Sequence, residues 1–152
     1  MFKKILIAKM GGNGIAIIDV ESKKYLSTIT GSYQNLRHLV INQDYLYTSS
    51  NNFGYVQKTK LPELLNKIPN TQNLIEHADW KTVKVGTGAR TIDVTKDGKI
   101  IFACVNNDSK ISVIDAQTIV VTGEFGTFKK STDGGATWKA SSIGPEFYPY
   151  AS

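Results

Sequence analysis

The sequence is poor in the residues that build metal and disulfide sites. It has one cysteine, Cys104, and two histidines, His38 and His77, in 152 residues. A lone cysteine excludes a disulfide within the chain, and a metal site normally gathers three or four nitrogen, sulfur or carboxylate ligands. We therefore predict no metal and no cofactor. No apolar run approaches the roughly 20 residues of a membrane helix, so we also predict no membrane span.

Charge of one sign is not concentrated anywhere in the chain. Eighteen Lys and Arg against thirteen Asp and Glu give a formal charge of +5, but the lysines are scattered. The sequence has no basic helix, no RNA-binding aromatic signature and no zinc-finger spacing, so we predict no nucleic-acid binding. Residues 1–9 carry a basic pair, yet Lys9 ends their apolar stretch, and we expect no secretory signal there. The overall composition is that of one globular domain, residues 1–152.

What the sequence does contain is an internal repeat. Residues 35–44 read Asn-Leu-Arg-His-Leu-Val-Ile-Asn-Gln-Asp, and residues 88–97 read Gly-Ala-Arg-Thr-Ile-Asp-Val-Thr-Lys-Asp. Each stretch is followed by a strand-like run that ends in an Asn-Asn pair, at 51–52 and at 106–107. Short strands that repeat every 40 to 55 residues or so are typical of β-propeller blades. We therefore predict an all-β fold, a propeller segment of about three four-stranded blades.

Turn residues place the blade boundaries near 1–34, 35–85 and 86–128, with a hairpin and irregular tail at 129–152. Pairs such as Asn13-Gly14 supply the positive φ angles of tight hairpins between β-branched runs. The middle unit is longer because it contains a short helical insert near 61–78, with a helix followed by a further turn over 72–78. The helix is predicted from apolar residues at one-face spacing, Leu61, Leu64, Leu65 and Ile68.

The third unit also resembles a known family. Asp-Gly-Lys at 97–99, the aliphatic-aromatic strand at 100–105, Asn-Asn at 106–107 and Ile-Ser-Val-Ile-Asp at 111–115 resemble the YVTN-type propeller repeat. The resemblance extends over about residues 5–125, although Thr59 stands where the pattern has Asp. It implies a scaffold that binds a protein or small ligand. The same superfamily includes lactonase-like enzymes and periplasmic or surface proteins, so a periplasmic or extracellular location is what the resemblance implies.

A second resemblance lies in the tail. Ser-Thr-Asp-Gly-Gly-Ala-Thr-Trp at 131–138 is similar to the Asp-box hairpin of sialidase-like propellers. Asp133 is suited to accept hydrogen bonds from the turn, Gly135 to adopt a conformation hostile to a Cβ, and Trp138 to pack under the hairpin. The expected structural residues are Ser131, Asp133, Gly135, Thr137 and Trp138. In its families the box lies away from the reaction centre, so it implies a propeller and no glycosidase activity.

Three blades and a fraction are too few for a ring, since propellers close with four to eight. An open ring exposes sheet edges and apolar blade faces that invite pairing. We therefore expect a fragment of a longer propeller, or a ring completed by another copy of the chain or a partner chain. Two copies with about three blades each are the simplest closed solution.

Two arginines at equivalent repeat positions, Arg37 and Arg90, are the candidate ligand-binding residues, together with His38. Both arginines begin what we predict to be the innermost strand of a blade, so both guanidinium groups are expected near the mouth of a central channel. Convergent guanidinium groups bind anions. The structural alternative is that each arginine bonds to carbonyls or carboxylates of its own blade.

No catalytic residue is predicted. The sequence has no Gly-x-Ser-x-Gly nucleophile elbow and no readable pair of catalytic carboxylates. The favoured function is a non-enzymatic scaffold that binds a protein or a small anionic ligand through blade-top loops or the central channel. Two alternatives stay open: a lactonase-like or other hydrolytic propeller enzyme, and a structural repeat of a surface or extracellular assembly.

Overall fold

The β-branched runs of the sequence form short strands in the computed structural model, which describes residues 4–68, 73–115, 119–122, 127–133 and 137–142. One α-helix and one 3-10 turn at Asn106–Asp108 complete the regular structure of those ranges. In chain order the strands are β1 Lys4–Ala8, β2 Ile15–Asp19, β3 Tyr25–Thr30, β4 Leu36–Asn42, β5 Tyr45–Ser50, β6 Tyr55–Lys60, β7 Asn73–Glu76, β8 Lys81–Lys84, β9 Ala89–Val94, β10 Ile101–Val105, β11 Lys110–Ile114, β12 Ile119–Thr122, β13 Thr127–Ser131 and β14 Lys139–Ser142, and the helix α1 is Leu61–Asn66.

The strands form three sheets in which neighbouring strands pair antiparallel, with the exception of the parallel pair β3 and β7. The first sheet has the order β1-β2-β3-β7, the second β4-β5-β6-β8, and the third β9-β10-β11-β12-β13-β14. The described sheets do not close into a barrel. The fold is therefore all-β and built from several small sheets, as the repeat predicts. No helix in the described part of the chain has the length and apolar character needed to cross a membrane.

Two apolar cores hold the three sheets together. The first core lies between sheets one and two and buries Ile15, Ile17 and Leu46 together with Leu64 of α1. The second core lies between sheets two and three and includes Tyr47. Side chains on a strand alternate between faces, so Leu46 and its neighbour Tyr47 serve opposite cores. The middle sheet is covered on both faces, and each outer sheet is covered by it on one.

The first strands of the sheets, β1, β4 and β9, lie side by side. β4 contacts β1 on one side and β9 on the other. Two side chains at the end of β4 bond to residues of the next repeat: Asn42 Nδ2 donates to the Thr95 carbonyl at 2.7 Å, and Gln43 Nε2 donates to the Lys96 carbonyl at 3.4 Å. Both contacts join positions 53 residues apart, which is also the spacing of Arg37 and Arg90. Equivalent positions of two repeats are therefore neighbours in space.

The insert differs from its prediction in one respect. The expected helix is present as α1, with Leu61 and Leu64 buried and Pro62 in the first turn. The further turn predicted over 72–78 is wrong, because residues 73–76 form β7. This strand pairs in parallel with β3, with Leu74 opposite Thr28 and Ile75 opposite Ile29. The chain leaves the second sheet after β6, adds an edge strand to the first sheet, and returns as β8.

The hairpin predicted at 131–138 does not stand apart from the third sheet. β13 pairs antiparallel with β12, and β14 pairs antiparallel with β13, so both strands extend that sheet to six. The three blade boundaries and the single-domain assignment stay predictions. Residues 143–152, the predicted irregular tail, lie outside the described residues.

Candidate functional site

Both candidate arginines lie at irregularities of an innermost strand. The register of β4 and β5 shifts between Leu36 and His38, which places Arg37 at the shift. The register of β9 and β10 shifts in the stretch opposite Ala103 and Val105, where Arg90 lies. A β-bulge turns a side chain away from the ordinary alternation of a strand, and such bulges are common beside binding sites. The two repeats therefore share a shift of strand register as well as an arginine at this position.

Arg37 is half-buried, and its guanidinium makes few hydrogen bonds within the described residues. Its Nη1 lies 3.3 Å from the Met10 sulfur, a weak acceptor, and its buried Nε has no hydrogen-bond partner among the described residues. Met10 belongs to the loop between β1 and β2, so Arg37 faces the first sheet from the second. Leaving a buried donor unsatisfied costs about 1–3 kcal/mol, so an acceptor at this position would stabilise the site.

Arg90 is exposed, and its backbone is fixed by the neighbouring sheet. Ser49 Oγ of β5 donates a hydrogen bond to the Arg90 carbonyl. Within the described ranges neither Arg37 nor Arg90 makes an ion pair with a carboxylate. The carboxylate contacts of the structural alternative are thus absent from that part of the chain.

His38 lies between the second and third sheets. Its Nδ1 is 3.0 Å from the Ile92 carbonyl oxygen and 3.2 Å from the Ile92 nitrogen. One ring nitrogen either accepts from the amide or donates to the carbonyl, depending on the tautomer. In this structure His38, which follows Arg37 in sequence, joins β4 to β9 by bonding to the Ile92 backbone.

Sequence reasoning missed three polar side chains that join the second repeat to the third. Asn42, Gln43 and Ser49 each donate to a carbonyl of the third repeat, at Thr95, Lys96 and Arg90 respectively. For Asn42 and Gln43 the usable signal was the 53-residue period, since each bonds to the matching position of the next repeat. Ser49 bonds to a residue 41 positions later, and the period gives no signal for that contact. These bonds hold the backbone around Arg90 in place.

His77, the other histidine, is a buried anchor of the insert. The Lys67 ammonium lies 3.1 Å from Nδ1 and can only donate, so Nε2 carries the hydrogen and donates to Thr59 Oγ1 at 2.6 Å. Burial, and then the nearby Lys67 charge, lower the pKa of His77 from its ordinary value. Thr59, the departure from the YVTN pattern, thus bonds to His77. In the described ranges no three His, Cys, Asp or Glu side chains lie close enough to hold a metal ion.

The hairpin of the tail is organised around Asp133. Its carboxylate accepts from Ser131 Oγ at 2.7 Å, from the Thr137 amide at 2.9 Å and from Thr137 Oγ1 at 2.5 Å. Trp138 keeps 40% of its surface exposed. Gly135 lies outside the described residues. The hydrogen bonds from Thr137 and Ser131 lower the pKa of Asp133 to about 2.

The Asp133 carboxyl is expected to titrate near pH 2 in the folded protein. In Thr137→Val, which removes the hydroxyl donor and retains the backbone amide, its pKa should rise toward the ordinary 3.8. Because the folded pKa is the lower one, the stabilisation is complete above about pH 4 and is lost as the pH falls toward 2. NMR measurement of the Asp133 carboxyl carbon shift from about pH 1.5 to about pH 6 gives the pKa in the parent chain and in Thr137→Val. Thr132→Val, at a neighbouring exposed position, is the control, and an unshifted Asp133 would contradict the network.

Comparison with known proteins gives structural similarity only. The sequence matches no protein-family model and no curated protein. Hydrazine synthase of Kuenenia stuttgartiensis is similar with a TM-score of 0.58 at 13% identity, over 92% of this chain and 46% of that chain. Dihydro-heme d1 dehydrogenase NirN in complex with DHE is similar with a TM-score of 0.53 at 13% identity, over 93% and 35%. A functionally unknown protein of Desulfotomaculum acetoxidans DSM 771 is similar with a TM-score of 0.54 at 9% identity, over 92% and 50%.

The three stacked sheets and these similarities define the class of protein. The chain has a β-propeller-type fold, and it spans half or less of the length of these three chains. At 9–13% identity the similarity extends to the fold and not to the activity of those proteins.

Proposed function

We propose that this chain is a non-enzymatic propeller scaffold of the YVTN type that binds a small anionic ligand beside its innermost strands, at Arg37 and Arg90. The observation that carries the proposal is the placement of both arginines at strand irregularities in equivalent repeat positions, on neighbouring strands. Guanidinium groups bind carboxylates and phosphates through paired, charge-assisted hydrogen bonds. The Nε of Arg37, which no described residue satisfies, supports the same proposal, because it leaves a donor for a ligand.

The surroundings of the site favour binding over structural pairing. No carboxylate of the described residues neutralises either guanidinium, so both keep their full charge for a ligand. The bond of Ser49 to the Arg90 carbonyl and that of Asn42 to the Thr95 carbonyl, directly after β9, fix the strand that carries Arg90. A backbone that is already fixed loses less conformational entropy when a ligand binds. His38 contributes here as a positioning residue, since its ring bonds to Ile92 of the same strand.

The proposal includes the blade boundaries near 1–34, 35–85 and 86–128 and the Asp-box character of the hairpin at 131–138. In this scheme the hairpin supports the last sheet and takes no part in binding. The loops at the ends of the innermost strands, which include Met10 and Gln43, form the rest of the ligand or protein contact. A periplasmic or extracellular location belongs to the same proposal.

Inorganic phosphate is a suitable probe for the site. We expect titration with phosphate to shift the Arg37 and Arg90 side-chain Nε–H signals in NMR spectra, with saturation. Arg37→Gln and Arg90→Gln should each lower phosphate affinity about tenfold or more, since a charge-assisted hydrogen bond contributes about 1.5–3 kcal/mol.

Lys81→Gln is the matched control, because it removes the same charge from the exposed outer strand β8. Its phosphate affinity should stay within about twofold of the parent chain, as expected for a screened, distant charge. Equal losses in all three variants would mean a nonspecific charge effect and would contradict the site. Phosphate shifts confined to other residues would contradict it as well.

A further inference from the structure

The two outer sheets each present an apolar face that the described residues leave largely open. The leading face belongs to the first sheet and consists of Ile5, Ile7, Ile18 and Leu74, with Ile5 49%, Ile7 44% and Leu74 75% exposed. The trailing face belongs to the third sheet and consists of Phe102, Cys104, Ile111 and Val113, with Phe102 41% and Ile111 49% exposed. Contiguous exposed apolar side chains of this size are typical of surfaces that bind another chain.

The trailing face is built like a face that is already covered. Tyr47 and Ser49 lie four and two residues before the Asn-Asn pair of the second repeat, and Phe102 and Cys104 lie four and two residues before that of the third. Tyr47 and Ser49 are buried because the third sheet covers them. Phe102 and Cys104 are exposed. The two pairs differ in exposure because the third sheet covers the second sheet on this side, whereas no described sheet covers the third.

The sense of stacking is the same at both internal contacts. The face of sheet one that carries Ile15 and Ile17 packs on the face of sheet two that carries Leu46. The face of sheet two that carries Tyr47 packs on the face of sheet three that carries Ile92. Each contact therefore joins the trailing side of one sheet to the leading side of the next. By the same rule, the trailing face of sheet three should pack against the leading face of another sheet. Among the described sheets, the leading face that is open belongs to sheet one.

We propose that a second copy of this chain supplies that sheet, so that the trailing face of each copy packs on the leading face of the other. The three described sheets cannot satisfy both faces by themselves, because they are fewer than the four with which the smallest propellers close. Two copies related by a twofold axis make the same contact twice and close a ring of six sheets. The chain covers 46%, 35% and 50% of the three matched chains, so two copies supply roughly 70–100% of the length of one such chain. This inference does not depend on the anionic ligand proposed above.

The test uses opposite charges on the two faces. The parent chain should have twice its 16.7 kDa mass in sedimentation equilibrium at about 50 μM, a concentration above the micromolar affinity that an ordinary interface reaches. Ile7→Glu disrupts only the leading face, and Phe102→Lys disrupts only the trailing face. Each variant alone should have the mass of one chain. Ile41→Glu, at an exposed apolar position outside both faces, should keep the doubled mass.

Mixing the two variants distinguishes this assembly from every symmetric face-to-face dimer. A mixed pair has one contact made of two parent faces, and a second contact in which the introduced carboxylate of one variant meets the introduced ammonium group of the other. The doubled mass should therefore return on mixing, and only folded chains can restore it. A folded parent chain with the mass of one copy would overturn the proposal. So would a mixture that stays monomeric, or a parent assembly larger than two copies.

Discussion

Replacing Gly54 with alanine is expected to destabilise the fold by about 3 kcal/mol or more. Gly54 lies in the turn between β5 and β6 with a φ of +68°, a region that side chains other than glycine rarely adopt. An added Cβ would overlap the carbonyl oxygen of Gly86. Gly54 also accepts hydrogen bonds from the Val85 amide at 2.8 Å and from the Gly86 amide at 3.3 Å. The substitution thus separates the middle sheet from the segment that leads into the third.

Two other glycines separate the causes of this effect. Gly98 has a φ of +72°, but an added Cβ would have no heavy atom closer than 3.9 Å, so Gly98→Ala tests the dihedral angle alone and should cost about 1 kcal/mol. Gly11 lies outside the left-handed region with no atom near, and Gly11→Ala should change stability by less than about 0.5 kcal/mol. Urea denaturation at one fixed protein concentration measures all three. Equal losses for Gly54 and Gly98 would show that contact with Gly86 is not the cause.

Local sequence patterns predicted the elements that depend on neighbouring residues. Asp97-Gly98 separates β9 from β10, and Asn13-Gly14 precedes β2, where the sequence placed hairpin turns. The one-face spacing of Leu61, Leu64 and Leu65 predicted α1. Each of these patterns acts over a few residues, and its physical cause lies in the same few residues. The 53-residue repeat then predicted that the strands form similar sheets.

The parts that were missed depend on distant partners. β7 is the short segment Asn-Leu-Ile-Glu, and it becomes a strand because it pairs in parallel with β3, about 45 residues earlier in the chain. A four-residue segment has no period long enough to distinguish strand from turn. The irregularities at Arg37 and Arg90 are also invisible locally, because a bulge is defined by the register of two strands.

The candidate site combines both kinds of information. Arginines in matching repeat positions could be named from the sequence, and their equivalence follows from the period alone. The Arg37 Nε, which has no partner among the described residues, and the bonds from Asn42 and Ser49 to the third repeat could not be predicted, since they depend on how one sheet packs on the next. Phe102 shows the same limit. Tyr47 is buried between the second and third sheets, while Phe102, which lies at the matching distance before its Asn-Asn pair, is 41% exposed on the outer face of the third sheet.

Replacing Leu46 with alanine is expected to cost about 3–5 kcal/mol. Leu46 is fully buried between the first and second sheets, where it packs with Leu36 and Leu64, and alanine would leave a cavity among three elements that cannot all move inward. Ile41 is the matched control, because it lies directly opposite Leu46 on the neighbouring strand and is 54% exposed. Ile41→Ala should cost less than about 1 kcal/mol. Urea midpoints and slopes distinguish a loss of stability from a change in the unfolded chain. A similar cost at both positions would mean that the first sheet does not pack on the second, and the stacking on which the ring depends would be wrong.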